Sequence, residues 1–450
     1  MRERDLLNGS ITKHIIRLAL PSIGGMASFV VFNLTDTYFV SQLGTNALAA
    51  MGFTFPVVLI VGAISNGISM GAASLLSRAK GAGNHHLMER IATDGILLSL
   101  IFVVMVSVVG LFTMDSVFTW LGADSEVLPL VKQYMSIWYG FVFVFVMPPV
   151  TDSCMRASGD MMRPFIVMMI CAVVNIVLDP FLIHGYWIFP AMGIRGAALA
   201  TMFSRFLGMI ATLSFAHFHH KLISFKYESA KELLESWKGI LRIGIPSTTV
   251  LLMPQLLRSV LTVLVSSAGG TIAVAAIAVG TRTESFVTMI PYGLGLALVP
   301  LAGQNWGAKK YDRVFETRHK IINFAIIYGL IVFAISIFFA KPVARIFTDD
   351  ETVVKLAAQY LWIMIFGMMG LMITNWMSRI FTTIGRPRWT VLLNVAGILL
   401  VVIPLAYLGK AIGGYVGILA GICLGQLLVG GWSVYLAKKR MNPDSLSHFS

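Results

Sequence analysis

The sequence predicts an all-α membrane protein, with twelve transmembrane helices in two pseudo-symmetric six-helix lobes around a central cleft. Three observations carry this. Of the 450 residues 57% are hydrophobic and only 12% are charged, against about 25% charged in a soluble domain. Mean hydropathy is +0.81. Twelve apolar stretches are each long enough to cross a bilayer, which takes roughly 20 helical residues, and the second half of the chain repeats the first.

The spans are expected at 15–40, 47–72, 92–114, 131–154, 163–184, 193–216, 240–267, 272–300, 320–340, 356–383, 389–409 and 414–437. The first follows a polar, basic start, MRERDLLNGSITKHIIR, that lacks the pattern of a cleavable signal. No soluble domain separates any two spans. The longest polar connection, 217–239, sets Leu233, Leu234 and Trp237 against Lys231, Glu232, Glu235 and Lys238. Such a stretch suits an amphipathic helix lying on the membrane surface. The expected division is therefore 1–216 for the N-lobe, 217–239 for a cytoplasmic linker and 240–450 for the C-lobe.

Orientation follows from the positive charges. With the N-terminus inside, the inner loops and tails hold 25 Lys and Arg and the outer loops six; Arg205, Arg258 and Arg282 fall within spans. This asymmetry puts both termini in the cytoplasm. It also accounts for the net charge of +13 as a topology signal, with no nucleic-acid partner implied. The lipid bilayer is the expected partner, and the cell inner membrane the location.

The repeat has an offset of 225 or 226 residues. LALPS at 18–22 matches IGIPS at 243–247, RAKGAGNHHLMER at 78–90 matches GQNWGAKKYDRVF at 303–315, and MRASGDMMRP at 155–164 matches RIFTTIGRPRW at 379–389. Six spans per repeat give both lobes the same orientation, as parallel repeats require.

Two acids interrupt the apolar pattern of the first lobe, Asp36 in span one and Asp179 in span five; the second lobe has none at the matching places. A charge at membrane depth costs at least ~2.5–3.5 kcal/mol on insertion scales, so these positions are functional candidates. At 1.5 Å per residue, Asp36 sits about 6 Å and Asp179 about 7–8 Å from the outer end of its span. Asn175 shares a helix face with Asp179 four residues on. Thr201 in span six and Tyr139 in span four fall in the same outer half. A carboxylate cluster of this kind can take up and release a proton; the competing expectation is that Asp36 anchors near the outer interface and Asp179 satisfies a helix broken before Pro180.

Pro21 removes a backbone hydrogen bond in span one, favouring a kink there, and Gly24 and Gly25 loosen the helix further. In the second lobe, Glu284 lies near the middle of span eight and Arg258 at comparable depth in span seven, with Asn375 in span ten. Glu284 either pairs with Arg258 or, unpaired, binds a cation. Arg205 has no evident partner beyond an acid of its own lobe. His85–His86 and His219–His220 are expected on solvated loop faces, and Cys154, Cys171 and Cys423 as small core residues.

Several functions are excluded by what the sequence lacks. There is no GxxxxGK[ST] phosphate loop, no GxSxG nucleophile turn and no His/Glu metal motif. No catalytic constellation, metal set or cofactor is expected, so an intramembrane enzyme is disfavoured.

The segments FNLTDTYFVSQLGTNALAAMG (32–52), RASGD (156–160), NIVLDPFLI (175–183) and GIRGAALAT (193–201), with PS opening each lobe, resemble the multidrug and toxic compound extrusion (MATE) family over essentially the whole chain. The aspartate pair with its Asn and Thr neighbours is most similar to the DinF-like branch. The resemblance implies a monomeric antiporter that exports cationic, amphipathic drug-like molecules by alternating access, driven by H⁺ or Na⁺. It further implies that Asp36 is the coupling residue, that Asn175, Asp179, Tyr139 and Thr201 complete its network, and that the first helix bends at Pro21. The chain departs from the NorM-like branch, because spans seven and ten carry Arg258 and Asn375 but no acid. A flippase for a lipid-linked precursor is the other transport reading; it needs a basic cleft, for which Arg205, Arg258 and Arg282 are the candidates.

Overall fold

The computed structural model describes residues 5–186, 189–224 and 229–441, and among these residues the chain is helical and contains no strand. Among the described residues nine helices are long and apolar enough to cross a membrane, and a bent pair makes a tenth. The elements are α1 Ile11–Ser41, α2 Thr45–Gly81, α3 His85–Trp120, α4 Leu128–Gly140, α5 Phe143–Ala157, α6 Met162–His184, α7 Ile194–Ser214, α8 Ala230–Gly307, α9 Tyr311–Arg345, α10 Glu351–Thr383, α11 Pro387–Val391 and α12 Ile403–Arg440. A π-helical turn, Phe215–His219, follows α7, and a π-helical stretch, Leu392–Val402, joins α11 to α12.

Two of these helices are double spans. The 78 residues of α8 would reach about 117 Å at 1.5 Å per residue, far beyond a hydrocarbon core of roughly 30 Å. The backbone leaves the helical region at Gly270 (φ 63°, ψ −156°). Likewise Gly413 and Gly414 break α12, the second with φ 54°, ψ −129°. Counting each side of these breaks gives the twelve spans expected.

The internal repeat is written into the backbone. Gly44 and Gly270, Gly83 and Lys309, and Gly159 and Gly385 all have positive φ, and each pair is separated by 226 residues. The turns recur even where the side chains have diverged. Lys309 holds a conformation that ordinarily favours glycine.

Contacts divide the chain into two units. One takes Arg17–Ile245; the other takes Leu6–Ile16 with the chain from Pro246 onward. In the first unit, α2 packs on α3 and α5, α6 on α7, and α4 and α5 both on α7. In the second, α10 packs on α9 and α12. Glycines set the closest approaches: a Cβ on Gly71 would lie 2.3 Å from the Ile240 carbonyl oxygen, and one on Gly370 2.2 Å from that of Gln426. Small residues at such crossings let helix backbones meet where no water drives association.

Two expectations are modified. The predicted surface helix is instead the start of span seven: from Ala230 the helix runs unbroken to the kink at Gly270, and Trp237 Nε1 donates to the Asp94 carbonyl at 2.9 Å. Part of that connection, 225–228, lies outside the described residues. Span four is not one helix. α4 and α5 are bent by 48° at Phe141–Val142, and Pro148 and Pro149 inside α5 supply no N–H to the preceding turn.

The extreme N-terminal stretch is held by the second unit. Asn305 Nδ2 donates to the Leu6 carbonyl at 3.1 Å. Lys310 Nζ reaches the Leu7 carbonyl and Asn8 Oδ1, each at 3.0 Å. Arg313 donates to the Gly9 carbonyl at 2.9 Å and to that of Leu6 at 3.3 Å. Leu6 and Ile11 are each 1% exposed. Continuous with α1, this clasp places the start of one helix in one unit and its remainder in the other.

Between α5 and α6, Asp160 gathers four donors. Its Oδ1 accepts the backbone N–H groups of Met162 at 3.0 Å and Arg163 at 3.2 Å. Its Oδ2 takes the Arg163 guanidinium and, at 3.0 Å, His220 Nε2. The expected solvated face therefore holds for His85, His86 and His219 but not for His220, whose side chain is only 5% exposed. Partial burial alone would raise the Asp160 carboxyl; the bonds from His220 and Arg163 outweigh it and hold the group well below its usual value of 3.8. A carboxyl depressed on folding stabilises above the unfolded value, and that stabilisation drains away as pH falls from there through the folded value. Asp160→Ala is expected to cost about 1–3 kcal/mol at pH 7. Thermal melts of the two proteins in detergent should converge below about pH 4; an equal gap at pH 7 and pH 3 would contradict this account.

Candidate functional site

Helices α1, α6 and α7 bring the sequence-predicted acids together. Asp36, one turn after Phe32 on α1, is 7% exposed; Asp179 and Asn175 on α6 are fully buried, and Thr201 on α7 is 6% exposed. Asn175 Nδ2 donates to Asp179 Oδ1 at 3.0 Å, the helical i, i+4 contact expected from the spacing. Thr201 Oγ1 donates to Asp36 Oδ1 at 3.4 Å, the outer limit of a hydrogen bond. Asp36 is close enough to act electrostatically on Asp179. Asp179 Oδ2 and Asn175 Oδ1 are buried and have no hydrogen-bond partner among the described residues. A buried carboxylate oxygen and a buried amide oxygen left unmatched side by side are costly.

Arg205 completes the electrostatics. It stands four residues beyond Thr201 on α7 and faces Asp36 electrostatically. Its guanidinium lies between the rings of Phe32 at 5.0 Å and Phe145 at 5.1 Å, an arrangement that shelters a cation without neutralising it. Its Nε has no partner among the described residues. The partner sought in the sequence is thus two aromatic faces plus the field of Asp36.

Tyr139 is buried against α3. A Cβ on Gly110 would sit 2.2 Å from its ring, and its ring meets Trp138 edge-on at 5.5 Å. No hydrogen bond joins Tyr139 to the aspartates among the described residues. The tyrosine that feels Asp36, Arg205 and Asp179 electrostatically is Tyr134, which the sequence reading passed over. Its signal was the repeat: Tyr134 lies 226 residues before Tyr360.

Pro21 sits within an unbroken helix. The notch that follows is filled: a Cβ on Gly24 would fall 2.8 Å from the Phe165 ring of α6. Pro21 and Gly24 thus place a weakened turn against an aromatic wedge, with Asp36 four turns further along.

The second unit has its own pocket of about 160 Å³ among α8, α10, the π-helical stretch and α12, largely apolar with a few polar side chains. Glu284, Arg258 and Asn375 all line it. Tyr360 donates its hydroxyl to Glu284 Oε2 at 2.6 Å. Arg258 acts on Glu284 electrostatically yet forms no ion pair with it among the described residues. To the two expected alternatives the structure adds a further partner, the Tyr360 hydroxyl.

The long apolar helices and the acids buried among them define a polytopic helical membrane protein with its polar cluster at membrane depth. The sequence model of the MatE family matches residues 21–181 and 246–408, one block in each repeat. This chain belongs to that family of multidrug efflux transporters. It is 30% identical over 446 residues, covering 98% of each chain, to a FAD transporter of Shewanella oneidensis. It is 27% identical over 355 residues to a probable multidrug resistance protein NorM of Thermotoga maritima, covering 77% of this chain and 74% of that one. Among solved structures, an aspartate-to-asparagine mutant of the Vibrio cholerae MATE transporter VcmN superposes with a TM-score of 0.89 at 25% identity, over 95% of this chain and 96% of that one.

Proposed function

We propose that this protein is a proton-coupled antiporter of the inner membrane, with both termini cytoplasmic, that exports cationic amphipathic molecules through alternating access. The observation that carries this reading is the buried Asp36–Thr201 and Asp179–Asn175 cluster, which supports the likeness to the DinF-like branch. Substrate is taken from the cytoplasm while Asp36 is ionised and attracts positive charge. An outer proton then neutralises Asp36 or Asp179, the attraction is lost, and α1 yields at Pro21 as the substrate leaves. Two carboxylates this near one another titrate as a pair. The same oxygens with Asn175 and Thr201 are also a donor set for Na⁺, which is the competing coupling ion. Reconstituted vesicles with each gradient imposed separately decide between them. Dye movement is expected with a pH gradient at zero sodium gradient; movement with sodium alone would overturn proton coupling.

One observation favours a second reading of the cargo. The full-length relative named a FAD transporter implies an anionic, flavin-bearing substrate, and the second unit offers Arg258 and Arg379 beside aromatic walls in one pocket. Under this reading the proton site is unchanged and the exported molecule is a flavin dinucleotide.

A further inference from the structure

We propose that the turn between α10 and α11, together with the last turn of α12, is a binding site for the headgroup phosphate of an anionic phospholipid. The internal repeat points to it. Gly159 and Gly385 make the same positive-φ turn in the two units. In the first unit the next residue is Asp160, whose carboxylate collects the Arg163 guanidinium and, at 3.0 Å, His220 Nε2. In the second unit Arg386 takes the place of Asp160, and Trp389 that of Arg163. The turn is kept, but the acid that serves as acceptor in the first unit is exchanged for a cation.

Guanidinium groups from two elements gather on one indole. That of Arg388 lies 5.4 Å from the centre of the Trp389 ring, and that of Arg440, from the end of α12, lies 5.1 Å from it. Burial, with the fields of Arg388 and Arg440, pushes the Arg386 guanidinium below its ordinary pKa. Like charges held this near one another disfavour their own charged forms, and an anion set among them relieves that. Lys438 and Lys439 share the last turn of α12 with Arg440. A helix C-terminus favours cations, which accounts for basic residues in that turn. It does not account for Arg440 lying on the ring that Arg388 also covers.

Two donors at this spot have no acceptor. Trp389 Nε1 and Arg440 Nε are buried and donate no hydrogen bond among the described residues. The Arg440 side chain joins no ion pair among them either. A buried indole N–H ordinarily finds a partner, and leaving one unmade is costly. Arg440 as a whole is only half-buried and Arg388 is exposed, so the cluster is open to approach from outside. The planar fork of a guanidinium matches phosphate oxygens two at a time.

The position selects a lipid. Arg386 and Arg388 follow the end of α10, and Arg440 closes α12, so all three lie just beyond membrane-crossing helices. Basic groups so placed attract acidic headgroups, and an indole is at home at headgroup level. The bilayer presents phosphodiesters to this level continuously. The site does not depend on which molecule the protein exports.

The test follows the melting temperature of purified protein in detergent during titration with phosphatidylglycerol, phosphatidylcholine or inorganic phosphate. Phosphatidylglycerol alone is expected to raise it, saturably. Arg440→Ala should increase the phosphatidylglycerol needed for half the shift roughly tenfold or more, the worth of a charge-assisted bond. Arg440→Lys keeps the charge without the fork and should fall between, which guards against a poorly folded alanine variant. Lys439→Ala removes the same charge from the same helical turn and should stay near wild type. Equal shifts with the two lipids, or Arg440→Ala and Lys439→Ala titrating alike, would overturn the site. A full shift with inorganic phosphate would make the occupant a soluble anion and overturn the lipid assignment.

Discussion

Asp36→Asn is expected to reduce gradient-driven export more than tenfold while leaving folded protein in the membrane at wild-type level. Asparagine keeps the shape of the side chain and an oxygen that can still accept from Thr201 Oγ1, now at 3.4 Å. It cannot exchange a proton near neutral pH, so the step tied to proton uptake is removed and the packing is not. Insertion itself should be eased, since the membrane-depth charge costs at least ~2.5–3.5 kcal/mol. Dye export in vesicles driven by a pH gradient, with yield and melting temperature measured on the same preparation, checks both halves. Full export by this variant would remove Asp36 from the mechanism. Asp179→Asn is expected to impair export less, because Asp179 already has Asn175 at 3.0 Å and acts through Asp36.

Gly370→Val should be the most damaging single change to folding in the second unit. Even a Cβ at 370 would stand 2.2 Å from the Gln426 carbonyl oxygen and 2.7 Å from Leu427 Cα. Those atoms are backbone and cannot rotate aside. Gly430 meets Gly370 from the other side, with its own hypothetical Cβ 2.7 Å from the Gly370 Cα. The two helices must separate, which opens the main contact of α10 with α12 and distorts the pocket at Gln426. Overpacking of a tight core costs about 1–3 kcal/mol, and rigid backbone on both sides puts this case at or above the top of that range. Gly431→Ala is the matched control, because a Cβ there meets nothing within 4 Å. Detergent melting temperatures should fall by many degrees for the first and hardly at all for the second; equal values would refute the close-packing argument.

Much of this was legible in the sequence because the membrane enforces simple rules. Span positions came from apolar length, and the repeat from short polar matches that prove to mark shared backbone turns. Asn175 and Asp179 were readable because they are four apart on one helix. The pairing of Asp36 with Thr201 spans 165 residues and was reachable only through equal depth and the resemblance of the flanking segments. Rotation about a helix axis was not legible, and it decides the tyrosines. Tyr134 and Tyr139 are at neighbouring depths, but Gly110 leaves a slot that captures Tyr139. The Glu284–Tyr360 bond was hidden for the same reason, since depth says nothing of which faces meet. The break in span four falls at Phe141–Val142, just after Gly140, and hydropathy runs straight through it.

The clasp on Leu6–Gly9 has a consequence for how the chain is made. Its donors, Asn305, Lys310 and Arg313, follow their acceptors by about 300 residues. At ribosomal rates of roughly 5–20 residues per second, on the order of 15–60 s pass before those donors exist. During that interval the first span can insert but cannot be fastened. The helix that carries Asp36 can therefore enter the bilayer long before it is locked, and its final seat waits on synthesis of the turn that carries Asn305, Lys310 and Arg313.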